Sequence, residues 1–238
     1  MGAIDWPRVL AFVLAVVSVW LLTGGLKAAG KLPCDIARKI NHVAALVGGA
    51  LCFGWLPEAT ARWTVYAVAA ILVGLVAVVC LFRDRSPFRF AFLANTRRSD
   101  APHEVFYYWS SWVVSAVGLV GIHLVWDNIV VTRTAALLVG IGDGVAEPIG
   151  RRWGRHKYRV RSLAGGPPAE RSVEGSAAVF VGCFFTLLAC LGTGVVVGAL
   201  VLAVVLTLVE AVSPHGLDNL TIPVAAALCL RPLLAHVL

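Results

Sequence analysis

Charge is scarce in this chain of 238 residues: Asp, Glu, Lys and Arg make up 14% of it, against about a quarter in a soluble domain. That scarcity, with 59% hydrophobic residues and a mean hydropathy of +0.85, excludes an ordinary soluble globule. Strand-like alternation is missing and the apolar runs are long, which argues against an outer-membrane barrel. No C-x-x-C pair occurs, so the six cysteines (Cys34, Cys52, Cys80, Cys183, Cys190 and Cys229) read as small core residues rather than metal ligands or disulfides. The chain also has no G-x-x-x-x-G-K-[ST] phosphate loop, no H-E-x-x-H and no G-x-S-x-G. Interrupted helices in matched positions are absent as well, which weakens a transporter reading.

What the chain has is apolar runs. A spanning helix needs roughly 20 such residues, and eight runs qualify, at about 8–26, 40–56, 63–82, 105–125, 129–149, 173–191, 195–211 and 219–237. The expected fold is all-α: a polytopic membrane helical bundle of about eight transmembrane helices, in one domain over 1–238. The first run is not a signal peptide. Arg8 alone precedes it while Lys27, Lys31, Arg38 and Lys39 follow it, the reverse of the signal-peptide charge order. It reads as a retained helix with its N-terminus outside.

The basic residues give the orientation. Residues 27–39 carry four, residues 83–98 carry Arg83, Arg85, Arg89, Arg97 and Arg98, and residues 151–171 carry Arg151, Arg152, Arg155, Lys157, Arg159, Arg161 and Arg171. These three loops fall on one side of an eight-span chain, and the positive-inside rule makes that side cytoplasmic. In a bacterium the membrane would be the plasma or inner membrane. The connections near 57–62, 126–128 and 192–194 are short and carry little charge. Leu191-Gly192-Thr193-Gly194 reads as a tight turn between antiparallel helices, and the stretch 159–171, with Gly165-Gly166-Pro167-Pro168, as a lid-like loop.

Four groups of polar residues stand out against this background. In Gly142-Asp143-Gly144-Val145-Ala146-Glu147-Pro148-Ile149-Gly150-Arg151-Arg152-Trp153-Gly154, two acids sit where a buried helix should be ending. Acids at membrane depth are costly and usually functional. Their i, i+4 spacing puts Asp143 and Glu147 on one helix face, although Pro148 and the glycines make a regular helix doubtful. Hard oxygens of this kind suit Mg²⁺ shared with phosphates; the competing reading is a solvated helix end. In Arg171-Ser172-Val173-Glu174-Gly175, Ser172 is a candidate N-cap and the helix N-terminus beside Arg171 a candidate anion site; the plainer reading is ordinary capping with a first-turn acid. Glu210 closes an apolar run, and Asp218 and Asn219 open the last one, as candidate metal or nucleotide ligands. Finally, Arg38-Lys39-Ile40-Asn41-His42 opens the second span, either as a membrane anchor or as part of a site. His123 has no evident partner and reads as core packing.

These four elements, in this order and spacing, resemble the polyprenol kinase family of phytol, farnesol and dolichol kinases, and the compact chain is most similar to phytol kinases. Arg38-Lys39-Ile40-Asn41-His42 corresponds to that family's R-K-x-x-H element. Glu147 stands where phytol kinases usually show Asp, and Arg171 where the family usually shows Lys.

The resemblance implies phosphoryl transfer from CTP, or another NTP, to the hydroxyl of a prenyl alcohol such as phytol, geranylgeraniol, farnesol or a polyprenol. It implies Mg²⁺ held by Asp143, Asp218 and Glu210, catalytic roles for Asp143, Glu147 and Asp218, and phosphate or nucleotide contacts from Arg38, Lys39, Arg151, Arg152, Lys157, Arg171, Ser172, Glu174 and Asn219. The expected partners are the bilayer, the alcohol and the nucleotide, with no nucleic acid and with a homodimer left open; the active site is expected on the cytoplasmic face. Two other readings stand beside it. One is a membrane cytidylyltransferase of the CDP-diacylglycerol synthase type, whose D-R-x-D ending is not found here. The other is an ion or metabolite transporter.

Overall fold

The computed structural model describes residues 3–96, 101–161, 168–214 and 217–234, and of residues 218 and 231–234 the backbone alone. Along these residues run α1 (Trp6–Ala28), α2 (Cys34–Phe53), α3 (Glu58–Leu81), α4 (Phe88–Asn95), α5 (Glu104–Trp126) and α6 (Ile129–Trp153). A hairpin of β1 (Lys157–Val160) and β2 (Ala169–Ser172) follows, then α7 (Val173–Leu191), α8 (Val196–Val212) and α9 (Asp218–Leu234). Seven helices are long and apolar enough to cross a bilayer, and α9 has a shorter apolar stretch, Asn219–Leu230. The protein is therefore an integral membrane protein, a polytopic helical bundle.

Local chemistry sets the helix boundaries. The Asp5 side chain accepts the Arg8 N–H at the start of α1. Pro33 and Pro57 stand directly before α2 and α3, with the extended ψ that no helix interior tolerates. Asn128 accepts the Val130 and Val131 N–H groups at 2.9 and 3.1 Å and so opens α6, and Ser172 accepts from Gly175 at 3.1 Å and opens α7. The predicted turn after α7 is present. Gly192 adopts φ +83°, a conformation suited to glycine, and a single 3-10 turn, Thr193–Val195, leads into α8.

Three elements differ from the sequence reading. The short helix α4 lies in what reads as a loop, because Phe88, Phe92 and Ala91 pack into the α1–α3 core. The lid-like loop is in part a hairpin, with Lys157 paired to Ser172 and Val160 to Ala169; residues 162–167 lie outside the described residues. Helix α6 also continues through Pro148 to Trp153. Proline is tolerated inside membrane helices where neighbouring helices pack against the freed backbone groups. Here that neighbour is α7, brought very close by small residues on one face.

Those residues are Gly142, Ala146 and Gly150, spaced four apart. A Cβ on Gly142 would lie 3.1 Å from Cys183 Sγ, one on Gly150 2.8 Å from Ser172 Oγ, and one on Gly175 of α7 3.0 Å from the Ala146 carbonyl oxygen. This is the small-residue packing that membrane helices use to bring backbones together. The glycines that made a regular helix doubtful are, at these positions, room for α7. On its next face α6 meets α2, where a Cβ on Gly144 would lie 2.8 Å from Val43. Helix α6 is buried along most of its length and is the axis of the bundle.

Two cores flank this axis. One joins α6 to α7, α8 and α9 through Leu138, Val179, Leu206 and Ile222. The other joins α1, α3, α4 and α5 through Phe12, Trp20, Val76 and Tyr108. Within the second core α1 and α4 close tightly at Gly24, where an added Cβ would lie 1.9 Å from the Phe90 carbonyl oxygen, a backbone atom. Gly24→Ala is therefore expected to push α4 off α1 and cost about 1–3 kcal/mol. The check is the thermal midpoint in detergent, and an unchanged midpoint would show that α4 shifts freely.

Candidate active site

Helices α2 and α6 face each other along a row of charges. Lys39, almost fully buried, places its Nζ 2.7 Å from Asp143 Oδ2, 3.4 Å from Glu147 Oε2 and 2.8 Å from the Asp143 carbonyl oxygen, to which it donates. One turn deeper, His42 Nε2 lies 3.4 Å from Asp143 Oδ2. Arg38 pairs with Glu147, while Arg151 lies 3.6 Å from the other Glu147 oxygen and pairs with Asp35. The R-K-x-x-H spacing does this directly, since residues three and four apart on α2 share one face, the face turned to Asp143 and Glu147.

Such a cluster is poor evidence for stability. Two charges leaving water for a protein interior lose several kcal/mol each, and well-packed apolar replacements are often neutral or better. Lys39 and Asp143 are thus an expensive feature, and the cluster brings together carboxylates able to hold a cation or a proton and ammonium and guanidinium groups able to hold phosphate.

The cluster borders a cavity of about 440 Å³ lined by Arg38, His42, Asn95, Tyr108 and Ser111. Ala45, Leu46, Trp112 and Ser115 line both this cavity and a second of about 770 Å³. The second is almost wholly apolar and runs between α2, α3, α5 and α6, walled by Phe12, Phe53, Val68, Leu72 and Leu119. Its far end is closed by Arg133, whose Nη1 donates to the Gly54 carbonyl oxygen at 3.2 Å and whose guanidinium stacks over Trp55 at 4.0 Å. The two adjoin across these four shared residues, a charged pocket beside an apolar one.

A second polar group sits where the hairpin meets α7 and α8. Arg171 Nη1 lies 2.9 Å from Glu210 Oε1. Ser176 Oγ donates to Glu210 Oε2 at 3.4 Å, so the Tyr158 hydroxyl, 2.7 Å from Ser176 Oγ, is the donor to Ser176. Burial pushes the Tyr158 phenol above its ordinary value, and Glu210 adds to the rise, which keeps it a neutral donor. Glu174 accepts from the His156 backbone N–H and lies 2.8 Å from His156 Nδ1, clipping the end of α6 to the start of α7. Lys157 donates to the Gly150 carbonyl oxygen at 3.3 Å and pairs with Glu170. Arg152 is exposed and rests over Trp153.

Of the residues predicted from sequence, Arg38, Lys39, Asp143, Glu147 and Arg151 come together in one cluster. Arg171 and Glu210 form a pair in the other group, and Ser172 is the predicted cap. Asn219 is buried in the first turn of α9, beside the middle of α5, with its carbonyl oxygen 3.2 Å from where a Gly118 Cβ would be. The side chain of Asp218 lies outside the described residues. Asp35, His156, Tyr158 and Ser176 are site neighbours that sequence reasoning passed over. Only Tyr158 and Ser176 carried a usable signal, as polar residues flanking the Arg171 motif. His123 is not simple packing: its Nδ1 lies 3.0 Å from Thr132 Oγ1 and its Nε2 3.6 Å from Glu58.

No protein-family model matches the sequence, and no solved structure matches it significantly. The chain is similar to phytol kinase of Synechocystis sp., with 28% identity over 203 residues, covering 82% of this chain and 78% of that protein. The likeness extends over most of both chains, and it is a distant one to a phytol kinase.

Proposed function

We propose that this protein is a prenyl alcohol kinase that transfers the terminal phosphoryl group of CTP, or another NTP, to the hydroxyl of an isoprenoid alcohol. The observation that carries the reading is that the charged pocket at Arg38 and His42 adjoins the apolar cavity, the two sharing Ala45, Leu46, Trp112 and Ser115 as walls. The cavity is walled almost wholly by hydrocarbon, the lining that small-ligand pockets favour. A prenyl chain in it would leave its hydroxyl beside Asp143, and the similarity to a phytol kinase supports the same assignment.

Phosphoryl transfer asks mainly for positioning and neutralisation of charge. Arg38, Lys39 and Arg151 neutralise the nucleotide phosphates, with the exposed Arg152 and Lys157 beside them at the end of α6. Asp143, between Lys39 and His42, orients the alcohol hydroxyl or takes its proton. The donor chemistry fits Mg²⁺: Asp143 and Glu147 are hard oxygen donors, and a carboxylate has about four lone-pair sites, more than their present cations use. Asp143 and Asp218 would hold the ion, which when bound would offset the charge of the phosphates. Glu210 keeps Arg171 in place rather than joining that set. Glu147 backs Arg38, and Ser172 and Glu174 fix the start of α7. The basic loops support a cytoplasmic placement of this end.

The test is label transfer from γ-labelled CTP to phytol, farnesol or geranylgeraniol by the detergent-purified protein. The expected result is a labelled lipid monophosphate, with nucleoside diphosphate released in equal amount. Release of pyrophosphate instead would assign nucleotidyl transfer and overturn the proposal.

A further inference from the structure

At the end of the bundle opposite the basic loops, three side chains from three segments converge: Glu58 at the start of α3, His123 near the end of α5 and Asp127 in the turn before α6. One ligand atom from each lies within 4.8 Å of the others. We propose that they form a binding site for a divalent transition-metal ion of the zinc class, separate from the kinase centre.

The histidine carries the argument. It is fully buried, with 0% exposure. The Thr132 hydroxyl donates to the Asn128 carbonyl oxygen at 3.1 Å, so it must accept from His123 Nδ1–H at 3.0 Å. Of the two neutral tautomers, that selects the one with a bare lone pair on Nε2. Metal-bound histidines are held in the same way, by a hydrogen bond from the other ring nitrogen. Nε2 has no hydrogen-bond partner among the described residues and faces Glu58 Oε1, which has none either.

Their separation of 3.6 Å is too long for a hydrogen bond. It matches the roughly 3.4 Å between two ligands that each lie about 2.0–2.2 Å from one tetrahedral zinc. Two lone pairs aimed at each other across that gap are stabilised by a cation between them.

The surrounding contacts leave room for such an ion. Glu58 Oε2 accepts the Ile129 N–H at 2.9 Å, which fixes the carboxylate and leaves Oε1 toward the site. Asp127 is paired with Arg62, whose Nε donates to Oδ1 at 2.9 Å; each oxygen retains a second lone pair for the ion. Arg62 weakens the site, but two carboxylates against one guanidinium leave a net negative charge. An imidazole with two carboxylates favours zinc and its neighbours over Ca²⁺ or Mg²⁺. Glu58 and Asp127 are open to solvent, which gives the ion an entry path. Bound there, it would tie α3 to the α5–α6 turn at the closed end of the apolar cavity.

The experiment uses the full chain in detergent, stripped with chelator. Zinc at about 100-fold its Kd should raise the thermal midpoint by about 5–10 °C. Cobalt should give the intense visible bands of a tetrahedral site with one ion per chain. Glu58→Gln and Asp127→Asn, both at exposed positions, should each abolish the cobalt bands and the zinc shift while label transfer to prenyl alcohol persists. Absence of stoichiometric metal from the wild type, binding undiminished in both variants, or the same stabilisation from acidification with no added effect of zinc would each overturn the proposal.

Discussion

Asp143→Asn is expected to lower kcat for prenyl alcohol phosphorylation by about 10²–10⁴-fold, the usual range for losing a positioned proton acceptor, with the fold retained. The second half of that expectation comes from Lys39. Removing the charge of Asp143 would strand a buried ammonium if Asp143 were its one partner, and a stranded buried charge costs about 3–5 kcal/mol. Lys39 keeps two others, the backbone carbonyl of residue 143 at 2.8 Å and Glu147 Oε2 at 3.4 Å. The variant should therefore unfold within a few degrees of the wild type while its turnover collapses. A paired Lys39→Met, Asp143→Leu variant sharpens the point, because apolar replacement of a buried ion pair is often neutral or stabilising. It should be folded and inactive. Full activity in Asp143→Asn would remove Asp143 from the chemistry.

The second large effect concerns the tail. Ala116 lines the apolar cavity from α5 and is only partly buried, so a larger side chain there projects into the cavity rather than into a packed core. Ala116→Phe should exclude several methylenes of a long prenyl chain. At about 0.8 kcal/mol per methylene, four or five of them amount to roughly 3–4 kcal/mol, or about 10²–10³-fold in kcat/KM for a twenty-carbon alcohol. A short alcohol that never reaches Ala116 should be phosphorylated as before, and the nucleotide KM should not move. Filling a cavity commonly stabilises a protein, so the thermal midpoint should hold or rise. An equal loss for short and long alcohols would mean that the tail lies elsewhere, along the lipid-facing surface of the bundle.

Much of this architecture is legible in the chain because hydrocarbon imposes simple rules. The apolar runs mark α1, α2, α3, α5, α6, α7, α8 and α9, and Ser172 and Gly192 fix two boundaries through chemistry that acts within four residues. The short elements are harder. Phe88–Asn95 is helical because Phe88 and Phe92 dock into another core, and Lys157–Val160 is a strand because Ala169–Ser172 lies beside it; neither partner is announced locally.

The site divides in the same way. Asp143 and Glu147 stand out as acids in apolar surroundings, and Arg38 and Lys39 as basic residues at a helix start. Their meeting joins positions 104 residues apart, and the resemblance, rather than periodicity, suggested it. The glycines of α6 misled in an instructive way. Four-residue spacing of Gly142, Ala146 and Gly150 is a helix-packing signature, yet beside Pro148 the glycines read as signs of an irregular helix. Glu58, His123 and Asp127 escaped notice because each is unremarkable alone and they belong to segments joined only by the fold.

The most direct measurement of the central claim is the lipid product itself. The purified protein, in detergent with CTP and Mg²⁺, is given a mixture of isoprenoid alcohols of graded length, and the products are identified by mass, with Asp143→Asn in parallel. The account predicts monophosphates of alcohols whose chains fit between Arg38 and Arg133, and their near-absence from the variant. A mixture left unphosphorylated by wild-type protein that is folded and binds nucleotide, or one phosphorylated equally by both proteins, would contradict it.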